Sequence, residues 1–259
     1  MDTCRDFYTS VPPQFWVEYL AQFYCKVDAY HEFVLTHLHN FYQAYQPPVG
    51  GAEVLEFGGG PAVCSLISAA PKCKEIVFGE FREDNREHVN LWLKKDPSAF
   101  DWDPFFNYVV CTLEGGTAID ALERKETLRN AIKAVVHCDI FQQEPVADQG
   151  PYDIVTSCLC LEYVCQNTED YREGIAKLAR LLKPGGTLLM QTDENVDAWI
   201  VAGSKIQTHP VSREVLTEAL QSAGFSHIAI DTLPRESLAD DILEAVPTVT
   251  STVFVNATR

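Results

Sequence analysis

Apolar positions recur at helical spacing through the first fifty residues, and short apolar runs then alternate with helical stripes along the rest of the chain. Trp16, Tyr19, Leu20, Phe23 and Tyr24 fall on one face of a helix over 13–24. Phe33, Val34, Leu38, Phe41 and Tyr42 form the stripe of a second helix over 28–45. QPPVGG then breaks the chain, so residues 1–50 read as an N-terminal helical cap. Beyond it the pattern predicts a strand over 52–57, a helix over 62–70, a strand over 75–80 and a helix over 84–95 ended by Pro97. A loop-rich stretch over 99–118 leads to a helix with Leu128, Ile132 and Val135 on one face. Strands follow at 134–140 and 152–158. A helix N-capped by Thr168 turns Tyr171, Ile175, Leu178 and Leu182 inward, and LKPGG stops it before the strand TLLMQT. A helix over 212–223, with Gly224 just past its end, precedes the strands FSHIAID and STVFVNA.

Alternating elements imply an α/β layer sandwich with a mostly parallel sheet, read as a single domain over residues 1–259. No helix separates the last two strands, so one of them is expected to run antiparallel.

The segment VLEFGGGPAVCSLIS carries the chemistry. Ligands of a doubly wound sheet lie outside the carboxyl ends of its strands. Missing β-carbons at Gly58, Gly59 and Gly60 let a ligand touch the backbone, and Pro61 suits a first helical position. The dinucleotide fingerprint wants a third glycine where Val63 stands, and a Walker loop wants a Gly-Lys-Ser/Thr ending that is absent. Glu56 places a negative charge before the turn, awkward beside a pyrophosphate and favourable beside an ammonium or sulfonium. Glu80 closes the second strand, where a carboxylate accepts hydrogen bonds from both ribose hydroxyls, and Phe81 beside it joins the cofactor set. Asp139 ends the third strand and suits an adenine amino group, with Ile140 against the ring. A nucleoside half and a positive half together describe S-adenosyl-L-methionine.

Charge agrees with this. A formal net charge of −17 disfavours nucleic acid and is compatible with cationic ligands. No run is apolar enough to span a membrane, and MDTCRDFYTS lacks the pattern of a secretory signal, so a cytoplasmic location is expected. There the nine cysteines stay thiols. Cys158, Cys160 and Cys165 lack paired C-x-x-C spacing, and no metal is expected.

The segments FGGGP, NLWLKKDPSAFDW, CTLEGG, CDIFQ, SCLCLEYVC and LLKPGG resemble those of the small-molecule amine N-methyltransferases, the family of nicotinamide, phenylethanolamine and indolethylamine N-methyltransferases. The resemblance runs from about Pro13 to Gly224 and is weak over 231–250. It implies a class I S-adenosylmethionine-dependent methyltransferase fold: a Rossmann-like, mostly parallel seven-stranded sheet with helices on both faces, plus the N-terminal cap. It also implies site roles. Tyr19 and Tyr24 match tyrosines that close over cofactor and substrate, and Gly58 and Gly60 match glycines under the methionyl part. Glu80 and Asn85 match the ribose and methionyl contacts, and Asp139 and Ile140 the adenine contacts. Glu162 matches an acid on the substrate side and Trp199 an aromatic pocket position.

Three positions depart from the family pattern. Cys64 stands where tyrosine is usual and Ala62 where threonine is frequent. The acid expected after the fifth strand is replaced by TDENVDAW, whose Asp193, Glu194 and Asp197 fall out of register; Asp193 and Asp197 are the substrate-side candidates. The expected activity is N-methylation of a small amine or azaheterocycle by a monomer, in an in-line displacement whose demands are alignment and desolvation. Glu162 would orient the nitrogen or accept its proton. The alternative is a catalytically impaired paralogue that binds the cofactor as a sensor or scaffold.

Overall fold

The structure, a computed structural model, describes residues 4–147, 150–201 and 203–259. The first three residues of the segment read for a targeting signal lie outside it. The cap consists of α1 (Cys4–Ser10), α2 (Gln14–Phe23) and α3 (Ala29–Ala44). Asp28 starts α3 by accepting the amides of Tyr30 and His31, a cap worth about 1 kcal/mol. There follow β1 (Ala52–Phe57), β2 (Cys73–Glu80), α4 (Glu83–Leu93), α5 (Asp103–Asn107), α6 (Ala118–Ala131) and β3 (Ile132–His137). Next come β4 (Tyr152–Cys158), the single turn α7 (Leu161–Val164), α8 (Thr168–Leu181) and the long β5 (Leu182–Glu194). A hairpin of β6 (Ala198–Val201) and β7 (Ser204–Gln207) precedes α9 (Arg213–Ser222), β8 (Ser226–Pro234), α10 (Asp240–Ala245) and β9 (Ser251–Thr258).

Seven strands form one sheet in the order β3-β2-β1-β4-β5-β9-β8, with β6 and β7 paired apart from it. β1 runs parallel to β2 and β4, and β9 runs antiparallel to both its neighbours, as expected of one of the last two strands, although the short α10 does separate those two. β1 is buried on both faces. Val54 joins Leu38, Tyr42, Phe78, Trp92 and Leu128 under α3, α4 and α6, while Leu55 joins Val155, Ile175, Leu178 and Leu216 under α8 and α9. A third cluster, Phe15, Trp16, Tyr30, Tyr163, Trp199, Ile206, Ile242 and Val246, roofs the carboxyl ends of the strands. The strand order reverses between β1 and β4, so a crevice opens there beneath that roof.

Several elements differ from the sequence expectation. The stretch 62–70 forms no α-helix; its bonds run from i+3 to i, as in Leu66 to Val63 and Ile67 to Cys64. Pro61 and Pro71 leave little room between them, and Val63 and Ile67 are β-branched. α6 ends at Ala131, and Ile132 and Val135 pair with Ile76 and Phe78 in the sheet, because a β-branched run packs better on a pleated surface. β3 stops at His137, two residues before Asp139. The stretch read as loop holds α5 and a π-helical turn at Tyr108–Leu113, with Trp102, Phe105 and Phe106 buried. Asn167, not Thr168, caps α8, accepting from the Asp170 amide. The β6–β7 hairpin and α10 were not expected. Among the described residues no helix is long and apolar enough to cross a membrane.

Candidate active site

A cavity of about 190 Å³ lies between the strand ends and the roof. It is lined by the carboxylates of Glu56, Glu80, Asp139 and Asp193 and by His31; among the described residues no lysine or arginine lines it. Such a wall favours a ligand carrying positive charge.

At one end Glu80 is buried and accepts from the amides of Gly60 (3.0 Å) and Arg82 (2.8 Å) and from Asn85 Nδ2 (3.0 Å). Burial raises its carboxyl, and these bonds oppose the rise. Asn85 Oδ1 is buried without a partner. Asp139 accepts from the Phe141 amide (2.9 Å) and Gln142 Nε2 (3.2 Å), and Ile140 and Phe81 line the wall nearby.

The glycines divide their work. A β-carbon on Gly58 would lie 2.2 Å from Cys160 Sγ, so that position is closed by packing. Gly60 has φ +59° and faces open space, so the backbone there is free for a ligand. Glu56 Oε1 accepts from the Ser65 hydroxyl (3.0 Å), while Oε2 is buried without a partner. The Cys64 thiol beside it is pushed up to about 12 by burial and by Glu56.

At the other end Asp193 is 1% exposed. It accepts from the hydroxyls of Tyr30 (2.9 Å) and Tyr163 (2.7 Å). Aromatic rings wall it: Trp199 lies 5.7 Å from Tyr19 and 5.5 Å from Tyr163. Tyr19 and Tyr24 approach hydroxyl to hydroxyl at 3.4 Å, and both are phenols held neutral by burial. Arg82 fastens this roof to the floor. Its guanidinium donates to the carbonyls of Tyr8 and Val11 and to Asp84, and it lies 5.8 Å from the Trp16 ring.

The sequence candidates are not all brought together. Tyr19, Tyr24, Gly58, Gly59, Gly60, Glu80, Phe81, Asn85, Asp139, Ile140, Asp193 and Trp199 line the cavity; Glu162 and Asp197 do not. The turn of α7 directs Glu162 behind β5, where Oε1 accepts the Asp193 amide (3.1 Å). Asp197 is exposed and accepts from the Thr248 hydroxyl (2.9 Å). Tyr30, His31, Tyr163, the α10 residues Ile242 and Ala245, and Val246 just past that helix line the cavity unforeseen. Tyr30 stands four residues before Val34, which extends the helical stripe, and that spacing was the available signal. No comparable signal marked α10.

Burial pushes Glu56 up to about 8, and burial plus the neighbouring Asp193 charge does the same to Glu162. Both are therefore protonated in the folded, ligand-free chain at pH values where the unfolded chain has lost those protons. Stability is full below the ordinary 4.5 of a glutamate and declines as pH rises through about 8. Asp28, lowered by its bonds to His31 and Tyr30, titrates below this window. Thermal denaturation of the ligand-free protein is expected to show Tm dropping between about pH 5 and 8.5, with Glu56→Gln and Glu162→Gln together flattening the slope. An equal slope in the double variant would contradict the assignment.

A model of the NNMT/PNMT/TEMT family matches residues 5–250, which includes α10 and the stretch where the segment resemblance is weak. Nicotinamide N-methyltransferase of Homo sapiens is 32% identical over 228 residues, 86% of this chain and 86% of its own. Indolethylamine N-methyltransferase of Mus musculus is 30% identical over 223 residues, 85% of this chain and 84% of its own. Among solved structures, magnesium protoporphyrin IX methyltransferase from Synechocystis PCC 6803 with bound S-adenosylmethionine matches with a TM-score of 0.58 at 14% identity, over 98% of this chain and 94% of that one. That likeness shows the class I methyltransferase fold.

Proposed function

From the premise that this chain belongs to the NNMT/PNMT/TEMT family and is an S-adenosylmethionine-dependent N-methyltransferase, we propose that its acceptor is the nitrogen of a small aromatic amine or azaheterocycle, of the nicotinamide, pyridine or arylalkylamine kind. The observation that supports this is the buried Asp193 carboxylate, held by two tyrosine hydroxyls among aromatic rings at one end of a cavity with no basic wall among the described residues.

The residues fit the cofactor. Glu80 keeps acceptor capacity for sugar hydroxyls beside the orphaned Asn85 Oδ1, and Gly60 leaves its backbone open. An ammonium placed beside the orphaned Glu56 Oε2 would favour loss of the proton that burial keeps on this carboxyl, and the ionised group would then accept from the amino-acid tail. Bound there, S-adenosylmethionine supplies the methyl group on a sulfonium.

The chain's own work is alignment and exclusion of water. Trp199, Tyr19 and Tyr163 provide flat walls for an aromatic ring. The acceptor nitrogen must present its lone pair, so an amine has to be neutral when it attacks. Asp193 orients an N–H or takes the proton that an aliphatic amine loses, and a ring nitrogen leaves a cation that the carboxylate offsets. Glu162 supports Asp193 from behind through its amide. Proper alignment of such a pair is worth roughly 7–11 kcal/mol of barrier at best.

The acids and rings that line this cavity lie on one chain, which supports action as a monomer, and its four thiols, Cys64, Cys138, Cys158 and Cys160, suit the reducing cytoplasm. No observation among the described residues favours the non-catalytic scaffold. The test is methyl incorporation from labelled S-adenosylmethionine into a panel of pyridines, nicotinamide and arylalkylamines, with S-adenosylhomocysteine formed in equal amount. A protein that binds S-adenosylhomocysteine yet turns over none of the panel would overturn the proposal.

A further inference from the structure

The roof over the cavity is held in two different ways. Where the β6–β7 hairpin meets it, rings interlock: Trp199 lies 6.1 Å from Phe15, 5.7 Å from Tyr19 and 6.4 Å from Phe23. Beside the end of β2 it is tied by polar bonds from one guanidinium. Arg82 donates to the carbonyl of Tyr8 in α1 and, at 2.8 Å, to that of Val11 in the turn before α2. Asp84 grips the same guanidinium from the floor, accepting from Nε (2.8 Å) and Nη2 (2.6 Å).

Outside this tie lies an open groove of about 850 Å³, lined in part by Pro13, Arg82, Glu87, His88 and Leu91. Tyr8 and Phe81 line both the groove and the cavity. Of the two spaces, Trp16 lines the inner one and Arg82 the outer one, and the guanidinium lies 5.8 Å from the Trp16 ring. The contact of Trp16 with Arg82 is therefore a partition between cavity and groove. It stands beside Glu80, at the sugar end of the cofactor site, and the Arg82 amide donates to Glu80 whatever its side chain does. A nucleoside that crosses here has to displace this contact. The ring cluster at Trp199 can stay packed as a hinge while the edge tied by Arg82 lifts. Glu83, Asp84 and Glu87 also line the groove, and their field suits the approach of a cationic cofactor.

We propose that this groove is the doorway of the cofactor and that Arg82 is its latch: breaking the guanidinium bonds to Tyr8 and Val11 lets α1 swing aside and the adenosyl ligand pass. The role goes beyond the acceptor assignment and does not depend on which amine is methylated. The donors of Arg82 are spent on protein carbonyls and on Asp84, so the latch holds the roof and not the ligand. A device with no differential affinity for ligand opens the way in and the way out alike. With the roof closed most of the time, it sets the rates and cancels from the affinity.

Stopped-flow fluorescence of Trp16 and Trp199, which line the cavity, reads both rate constants for S-adenosylhomocysteine, and calorimetry reads its affinity. In Arg82→Met, association and dissociation are both expected to quicken by about tenfold, the loss of a charge-assisted hydrogen bond from the closed roof, with Kd within about twofold of wild type. Asp84→Asn weakens the grip on the guanidinium without removing it and should give the same pattern at about threefold. Amide hydrogen exchange in α1 should quicken in Arg82→Met while that in α8 stays as in wild type. Unchanged rates would overturn the proposal by sending the cofactor past another edge of the roof. Faster release with unchanged entry, and a Kd weakened in proportion, would overturn it by making the guanidinium part of the binding site. Exchange that quickens in α8 as much as in α1 would overturn it by making Arg82 a general support of the fold.

Discussion

Replacing Glu80 with glutamine is expected to lower affinity for S-adenosylhomocysteine by about a hundredfold, with the melting transition still cooperative. Two sugar hydroxyls donating to one carboxylate make charge-assisted bonds of about 1.5–3 kcal/mol each, and each 1.4 kcal/mol is a factor of ten. Glutamine retains one carbonyl acceptor and brings two donors toward Gly60, Arg82 and Asn85, which already point donors at that site. Alanine would be harsher, because those three donors would lose their acceptor and the roof fastening at Arg82 would loosen as well. Glutamine is therefore the cleaner probe. Calorimetry with S-adenosylhomocysteine decides it, and an affinity within twofold of wild type would remove the sugar contact from Glu80.

Asp193→Ala is expected to cost about a hundredfold or more in kcat/KM while leaving S-adenosylhomocysteine affinity within a few-fold. Truncating one member of a buried, hydrogen-bonded charged set costs about 2–5 kcal/mol, much of it from partners left unpaired. Here those partners are the hydroxyls of Tyr30 and Tyr163. Glu162→Gln provides the contrast. Burial and the Asp193 charge hold Glu162 up at about 8, so at neutral pH its carboxyl is already protonated and an amide resembles it closely. Turnover of that variant at pH 7 is expected within about threefold of wild type. Should Glu162→Gln abolish turnover and Asp193→Ala preserve it, the two acids would exchange roles.

The ordering of those acids shows what the chain disclosed and what it hid. The strand ends were readable because β1, β2 and β4 are short apolar runs bounded by turn residues, which put Gly60 just past the end of β1 and Glu80 at the end of β2. Glu162 was readable as an acid after β4, but whether it faced the cavity depended on α7, a single turn whose direction is set by packing against β5. Asp193, named as a substrate-side candidate, lay beyond a strand that the pattern ended at Thr192, and β5 continues to Glu194 because β9 pairs with it from Thr187 to that end. Such pairing joins residues far apart in the chain and leaves no local mark. His31 was hidden for a different reason. A histidine in a helical stripe carries no sign of the cavity beside it, and only the cap at Asp28 fixes where its ring points.

The position of β9 bears on how the molecule is made. It is the last of the described strands in chain order, yet it sits inside the sheet between β5 and β8. Until it emerges from the ribosome, both of those strands expose a bare edge, and such edges invite pairing with other chains. The half of the sheet from β3 to β5 can assemble earlier from parallel neighbours, so the nucleoside floor precedes the acceptor pocket during synthesis. Asp193, paired with Thr252, gains its place in the sheet ladder when that strand docks.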